Sequence, residues 1–106
     1  MSEIRIHFDN SATDILKRED SFARQVRTKV EAVLKGRTRL DELVGATSVR
    51  GAVGLVLGKL EGATTLNEED VWDYLDRDNR KLVIAMQDHY RDRARRWRAA
   101  QSDARA

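Results

Sequence analysis

The residues with the clearest chemical potential lie near the C-terminus of the chain. Arginine forks match the geometry of phosphate oxygens, and an aromatic ring beside them can stack on a nucleobase. One short segment combines both residue types, and the side chains with which we expect it to contact DNA or RNA are Arg91, Arg93, Arg95, Arg96, Trp97 and Arg98. The segment therefore predicts a nucleic-acid-binding site that holds phosphates.

The same segment also has an interpretation without nucleic acid. Residues 66–78 carry six acidic residues and one arginine, so a helix that runs from there would begin acidic and end basic, as its own macrodipole favours. Trp97 continues an apolar stripe and can simply pack against a core. Under this alternative the chain is a structural adapter or an assembly subunit of a larger protein complex.

No pattern in the chain predicts catalysis. The two histidines, His7 and His89, lie far apart in the sequence, and no nucleophile with a base and an orienting acid surrounds either of them. Two glycine-rich segments resemble phosphate loops, but five residues separate Gly45 from Gly51 and three separate Gly54 from Gly58, where a Walker loop needs four. We therefore expect no enzyme, no small-molecule substrate, no cofactor and no metal site.

The first secondary-structure element that the sequence predicts is a β-strand near the N-terminus. Ile4, Ile6 and Phe8 alternate with polar residues, which is the period-two pattern of a half-buried strand. A single strand is not stable alone, so it needs residues 52–57, a second copy of the chain or another protein beside it. We expect these three apolar residues to contact a partner.

The central segment contains three closely spaced glycines. Gly51, Gly54 and Gly58 leave a smooth face that another helix or strand can approach closely, and we assign them to partner contact as well. Residues 49–60 place their apolar side chains on one helical face, which favours a helix. Residues 52–57 also alternate well enough for a second strand, and this remains the alternative.

Two longer apolar patterns predict the other helices. The first runs from a cap at Asn10 or Ser11 to Lys35-Gly36, with a bend or break near Asp20-Ser21. The second starts at a cap, Thr65 or Asn67, and extends to about Ala100, with a kink or break at Asp78-Asn79. The remaining residues, 101–106, form a short polar tail.

Composition limits the chain to one domain, which we assign to residues 1–100. The chain has 106 residues, its 20 Lys and Arg nearly balance its 18 Asp and Glu, and 41% of it is hydrophobic, so it can bury one core. It contains no cysteine, and its longest nearly apolar stretch, residues 51–58, is too short to cross a bilayer. We therefore expect no membrane contact and a cytoplasmic location.

Together these patterns predict a mostly α fold. It consists of three or four helices with one N-terminal β-strand and a long C-terminal helix, and the alternative is an α+β fold with residues 52–57 as a second strand. The function that follows is a small non-enzymatic module associated with nucleic acid. The unpaired strand and the smooth glycine face favour a homo-oligomer or a subunit of a larger assembly.

Overall fold

The structure is a computed structural model that describes residues 14–105, with side chains described for residues 14–102. Within this range the chain is mostly helical, which confirms the predicted fold class, and its β structure is limited to an isolated bridge between Glu61 and Thr64. The predicted strand with Ile4, Ile6 and Phe8 lies outside the described residues. The elements are, in order, α1 (14–16), α2 (Ser21–Leu34), a 3-10 turn (Leu40–Glu42), α3 (Thr47–Leu57), α4 (Glu68–Tyr74), α5 (Arg77–His89) and α6 (Arg91–Arg105).

Short polar side chains fix where three of these helices begin. The Asp20 carboxylate accepts a hydrogen bond from the Ala23 N–H at the start of α2, where the sequence predicts a break. The Asn67 side chain accepts from the Asp70 N–H at 2.8 Å and starts α4. The Asp76 side chain accepts from the Asn79 N–H at 2.8 Å and starts α5. Each cap satisfies an amide that has no partner inside its own helix.

Helix α3 is the centre of the domain and packs against α2, α4, α5 and α6. All its residues from 51 to 57 are buried, because neighbours cover the helix on every side. The helical prediction for residues 52–57 is thus confirmed over the strand alternative. Gly58 ends the helix in the left-handed conformation, at φ 74°.

The C-terminal region consists of three helices, whereas the sequence pattern predicts one long helix with a single interruption. The first interruption lies at Leu75 and Asp76, three residues before the expected position, since the Asp76 side chain caps a new helix there. The second is the single residue Tyr90, between α5 and α6. Helix α6 continues to Arg105, so most of the predicted tail is helical.

Tyr90 joins α5 and α6 with almost no break in the backbone hydrogen bonding. Its N–H donates to the Met86 carbonyl at 2.9 Å, and its carbonyl accepts from the Ala94 N–H at 2.8 Å. Its backbone angles, φ −97° and ψ 6°, depart only moderately from helical values. Helices α5 and α6 therefore form a nearly continuous rod with a local distortion at Tyr90.

The core is apolar and continuous across these helices. Its largest fully buried side chains come from α2, α3, α4 and α5, and no charged residue is buried among the described residues. These largest side chains are Val26, Val30, Val33, Val53, Leu57, Val71, Leu82, Val83 and Met86. The C-terminal helix adds Ala94 to this core and leaves most of its remaining surface exposed.

Candidate nucleic-acid interface

Two of the arginines predicted to bind nucleic acid instead attach α6 to the rest of the domain. The first is Arg93, whose two terminal nitrogens donate to the two carboxylate oxygens of Glu31 in α2, each at 2.9 Å. This fork, with a smaller contribution from the nearby Tyr90 hydroxyl, lowers the pKa of Glu31 to about 2. Burial, with Glu31 beside it, raises the pKa of Tyr90 to about 12. Arg93 thus has a fixed acceptor within the chain.

Arg98 is the second of these arginines. Its Nη1 donates to the Leu57 carbonyl at 2.7 Å, at the C-terminus of α3, where helix carbonyls lack partners in their own helix. A Cβ atom on Gly58 would lie 2.5 Å from Nη1 of Arg98, so the guanidinium occupies the space that the glycine leaves open. The close approach predicted at Gly58 is therefore made by a side chain of the same molecule.

Trp97 is partly buried and packs against the core. It also lines a groove of 320 Å³ between the end of α2, the loop at residues 38–41 and the loop at residues 59–62. A tryptophan that contributes to intramolecular packing has less of its ring free for stacking on a base. The structure is therefore compatible with both roles predicted for Trp97, since the side chain packs against the core and also lines a groove where a base could stack.

The remaining arginines of the segment lie on the surface. Arg91 is 70% exposed and pairs with Asp88 at 2.6 Å, while Arg95 is 71% exposed and pairs with Asp92 at 3.2 Å. Both carboxylates are as exposed as their partners, and pairs of this kind contribute only about 0–1 kcal/mol. Arg96 is also exposed, on another side of the helix.

Helical spacing sets Arg91, Arg95, Arg98 and Ser102 along one edge of α6, since they are separated by four, three and four residues. At the far end of this edge, Lys59 lies in a small cleft with Arg98 and Ser102. We call the two exposed arginines of this row, Arg91 and Arg95, together with the partly buried Lys59 at its end, the basic edge. Of the residues in the predicted site, Arg91 and Arg95 are exposed on this edge, and Arg96 is exposed on another side of the helix.

The glycines predicted to contact a partner are buried inside the domain, apart from Gly58. A Cβ on Gly51 would lie 2.8 Å from Cγ1 of Val71, and one on Gly54 would lie 2.8 Å from Cδ2 of Leu60. The smooth face thus receives side chains of the same chain, and it is not available to another molecule in this fold. The other residues predicted to contact a partner, Ile4, Ile6 and Phe8, lie outside the described range.

Sequence reasoning missed a second use of arginine in this chain. Arg27 donates to the Leu16 and Arg18 carbonyls, each at 2.8 Å, and Arg80 donates to the Trp72 carbonyl at 2.8 Å. Like Arg98, these side chains satisfy main-chain acceptors at the ends of helices and in loops. No local signal identifies such bonds, because every residue carries a carbonyl and the fold alone selects which one is reached.

Neither a metal site nor a membrane-spanning helix is present among residues 14–105. No group of three or more His, Asp or Glu residues in this range is close enough to hold a metal ion. None of the helices described is both long enough and apolar enough to span a membrane. Comparisons with protein-family models, curated proteins and solved structures find no match to this chain. Its own side chains are thus the basis for a functional proposal.

Proposed function

We propose that the chain is a small non-enzymatic module that binds the phosphate backbone of a nucleic acid along its basic edge. The observation that supports this most is the exposure of Arg91 and Arg95, four residues apart on one edge of a helix that the core holds in place. Arg93 and Arg98 contribute indirectly, because they fix α6 and so fix the spacing of the exposed cations. Of the six side chains that the sequence predicts to bind nucleic acid, the proposal thus assigns direct phosphate contact to Arg91 and Arg95.

The acidic partners of the basic edge do not prevent phosphate binding. Asp88 and Asp92 are more than two-thirds exposed, so Arg91 and Arg95 can leave them at little cost when a phosphate approaches. The balance of charge does limit the affinity, because each arginine has a carboxylate beside it. We therefore expect modest, largely sequence-independent binding that weakens steeply as salt rises.

The test is the affinity for short duplex DNA and for RNA, measured by fluorescence anisotropy at a series of salt concentrations. Arg91→Gln with Arg95→Gln should weaken binding and reduce the salt slope by roughly one to two, since each lost phosphate contact removes about 0.9. Arg24→Gln with Arg77→Gln removes the same charge from exposed positions on α2 and α5 and serves as the matched control. No binding at low salt, or an equal loss in the control, would refute the proposal.

A second candidate function is an assembly subunit that contacts protein alone. Among the described residues three large apolar side chains are more than half exposed, Val44 at 73%, Tyr74 at 59% and Ile84 at 57%, and they offer apolar surface to a protein partner. Sedimentation at several concentrations should then reveal association, and Ile84→Lys should reduce it. A monomer at all concentrations that co-purifies with no protein would contradict this candidate.

A further inference from the structure

A pocket at the other end of α3 has a lining suited to an anion. It lies between the N-terminus of α3, the loop at residues 62–66 and the end of α4, and it has a volume of 390 Å³. Its lining includes one arginine, four hydroxyl groups and a leucine, namely Arg50, Thr47, Thr64, Thr65, Tyr74 and Leu66. None of the described residues that line it is a carboxylate, although charged residues make up 36% of the chain.

Arg50 supplies the observation that indicates a ligand. Its Nε atom is buried and has no hydrogen-bond acceptor. Among the described residues its guanidinium takes part in no ion pair, whereas Arg18, Arg39 and Arg93 each bind a carboxylate. Buried donors without an acceptor are rare in folded proteins, and the described residues offer this one none.

The neighbouring groups are also arranged to donate. The Thr64 hydroxyl oxygen accepts from the Leu66 N–H at 3.2 Å, which leaves its hydroxyl proton free to donate to a ligand. Helix α3 begins after Ala46, which has no side chain to cap it, so the first-turn amides beside Thr47 have no side-chain acceptor there. The lining of the pocket thus combines a cation with hydroxyl donors.

We propose that this pocket binds a phosphate monoester, with the phosphate held by Arg50 and the threonine hydroxyls. The volume exceeds that of a free phosphate and lies in the range of pockets that hold small organic ligands. Leu66 and the Tyr74 ring provide an apolar wall for the organic part of the ligand. The ligand class is therefore a phosphorylated small molecule of about the size of a nucleoside monophosphate.

This site is separate from the basic edge. Arg98 meets α3 at its C-terminus, while Thr47 and Arg50 lie in its first turn, roughly 10–15 Å away along the helix. Binding at the pocket is therefore independent of the proposed function. A loss of phosphate-monoester binding should leave the affinity for DNA and RNA unchanged.

The experiment is a titration of the ¹⁵N-labelled chain, followed by two-dimensional NMR, with adenosine monophosphate, inorganic phosphate and adenosine as separate probes. The proposal expects adenosine monophosphate to shift the amides of residues 47–50 and 64–66, inorganic phosphate to shift the same amides with lower affinity, and adenosine to leave them unchanged. It is overturned if neither phosphate compound shifts them, or if adenosine shifts them as strongly as its monophosphate does.

Variants locate the site and test its chemistry. Arg50→Gln should weaken binding of adenosine monophosphate at least about tenfold, because a charge-assisted hydrogen bond is lost. Arg50→Lys should recover only part of this loss, since an ammonium group lacks the planar fork. Arg24→Gln, at an exposed arginine on α2, is the control and should bind as the parent chain does.

A second variant keeps the test decisive if Arg50→Gln does not fold. Thr65 is exposed, so Thr65→Asp should fold while placing a carboxylate at the rim of the pocket. Repulsion between the two anions should then abolish binding. Unchanged affinity of a folded Thr65→Asp variant, checked by its thermal unfolding curve, would overturn the proposal.

Discussion

Helix α3 buries every residue from 51 to 57, whereas α6, which packs beside it, completely buries only Ala94 among residues 91–102. The first helix is held by apolar contact on all sides. The second is held by a partly buried Trp97 and by two guanidinium groups, one on Glu31 and one on the Leu57 carbonyl. The two helices thus depend on different interactions, although they belong to one core.

This difference shows that arginine content alone does not identify a binding surface. A guanidinium group has five donors, and its reach allows it to bond to acceptors far away in the sequence. In α6 the same residue type holds the helix in place at positions 93 and 98 and remains accessible at positions 91 and 95. Substitutions that disrupt these two kinds of interaction should therefore change the free energy of unfolding by different amounts and with a different dependence on pH.

The largest effect is expected in α3. Leu57 is completely buried, so Leu57→Ala removes apolar contacts and leaves a cavity, which should lower the free energy of unfolding by about 2–5 kcal/mol. Urea denaturation followed by circular dichroism measures this change. Leu57→Met, which nearly conserves volume, should cost less than about 1.5 kcal/mol. A small effect of Leu57→Ala would contradict the central position of α3.

Gly54→Ala tests the close approach to α3 more finely. The new Cβ would lie 3.0 Å from the Lys59 carbonyl oxygen, a main-chain atom that cannot move away alone. Overpacking of this kind costs about 1–3 kcal/mol, which exceeds the roughly 1 kcal/mol that alanine gains over glycine in a helix. We therefore expect the free energy of unfolding, measured by urea denaturation, to fall by up to about 2 kcal/mol. A more stable variant would show that the loop at residue 59 yields easily.

Arg98→Gln tests the attachment of α6 to the end of α3. The variant loses a charge-assisted hydrogen bond to the Leu57 carbonyl and should be less stable by about 1–2 kcal/mol. Arg95→Gln removes the same charge from an exposed position on the same helix and should change the stability by no more than about 0.5 kcal/mol. Equal losses of stability in the two variants would contradict the assignment of Arg98 as a residue that attaches α6 and of Arg95 as an exposed residue that does not.

The smallest effect is expected for Glu31→Gln, and it should depend on pH. The folded state lowers the pKa of Glu31 from 4.5 to about 2, so the carboxylate stabilises the fold above pH 4.5 and loses this contribution as the pH falls toward 2. The variant should be about 1 kcal/mol less stable at pH 7, because solvent screens the partly exposed pair. The difference between the two proteins should vanish near pH 2.

Asp20 does not disturb this measurement. Its pKa is also lowered, to about 2 by the Arg18 guanidinium, but the group is present in both proteins and its titration cancels in the difference. Thermal or urea unfolding at several pH values is therefore sufficient. A difference that grows on acidification would contradict the ion pair between Glu31 and Arg93.

The sequence predicts those parts of the fold that depend on local chemistry. The break at Asp20-Ser21, the Asn67 cap and the helix over residues 52–57 follow from capping residues and apolar spacing. The sequence places the interruption near Leu75 too late, at Asp78-Asn79. Asp76 and Asp78 are similar candidates for a cap, and only tertiary packing selects between them. The roles of Arg93 and Arg98 depend on acceptors 62 and 41 residues away, which no local pattern indicates.

The junction at Tyr90 has a consequence for how the domain opens. Because the Tyr90 N–H donates to Met86 and the Tyr90 carbonyl accepts from Ala94, the main chain of this one residue links the two helices on either side. Hydrogen-bonded segments that are linked in this way tend to open together, so we expect α5 and the first turns of α6 to form a single unit of hydrogen exchange. Amides on both sides of Tyr90 would then exchange with solvent at a common opening free energy, while those in the last turns of α6 exchange faster.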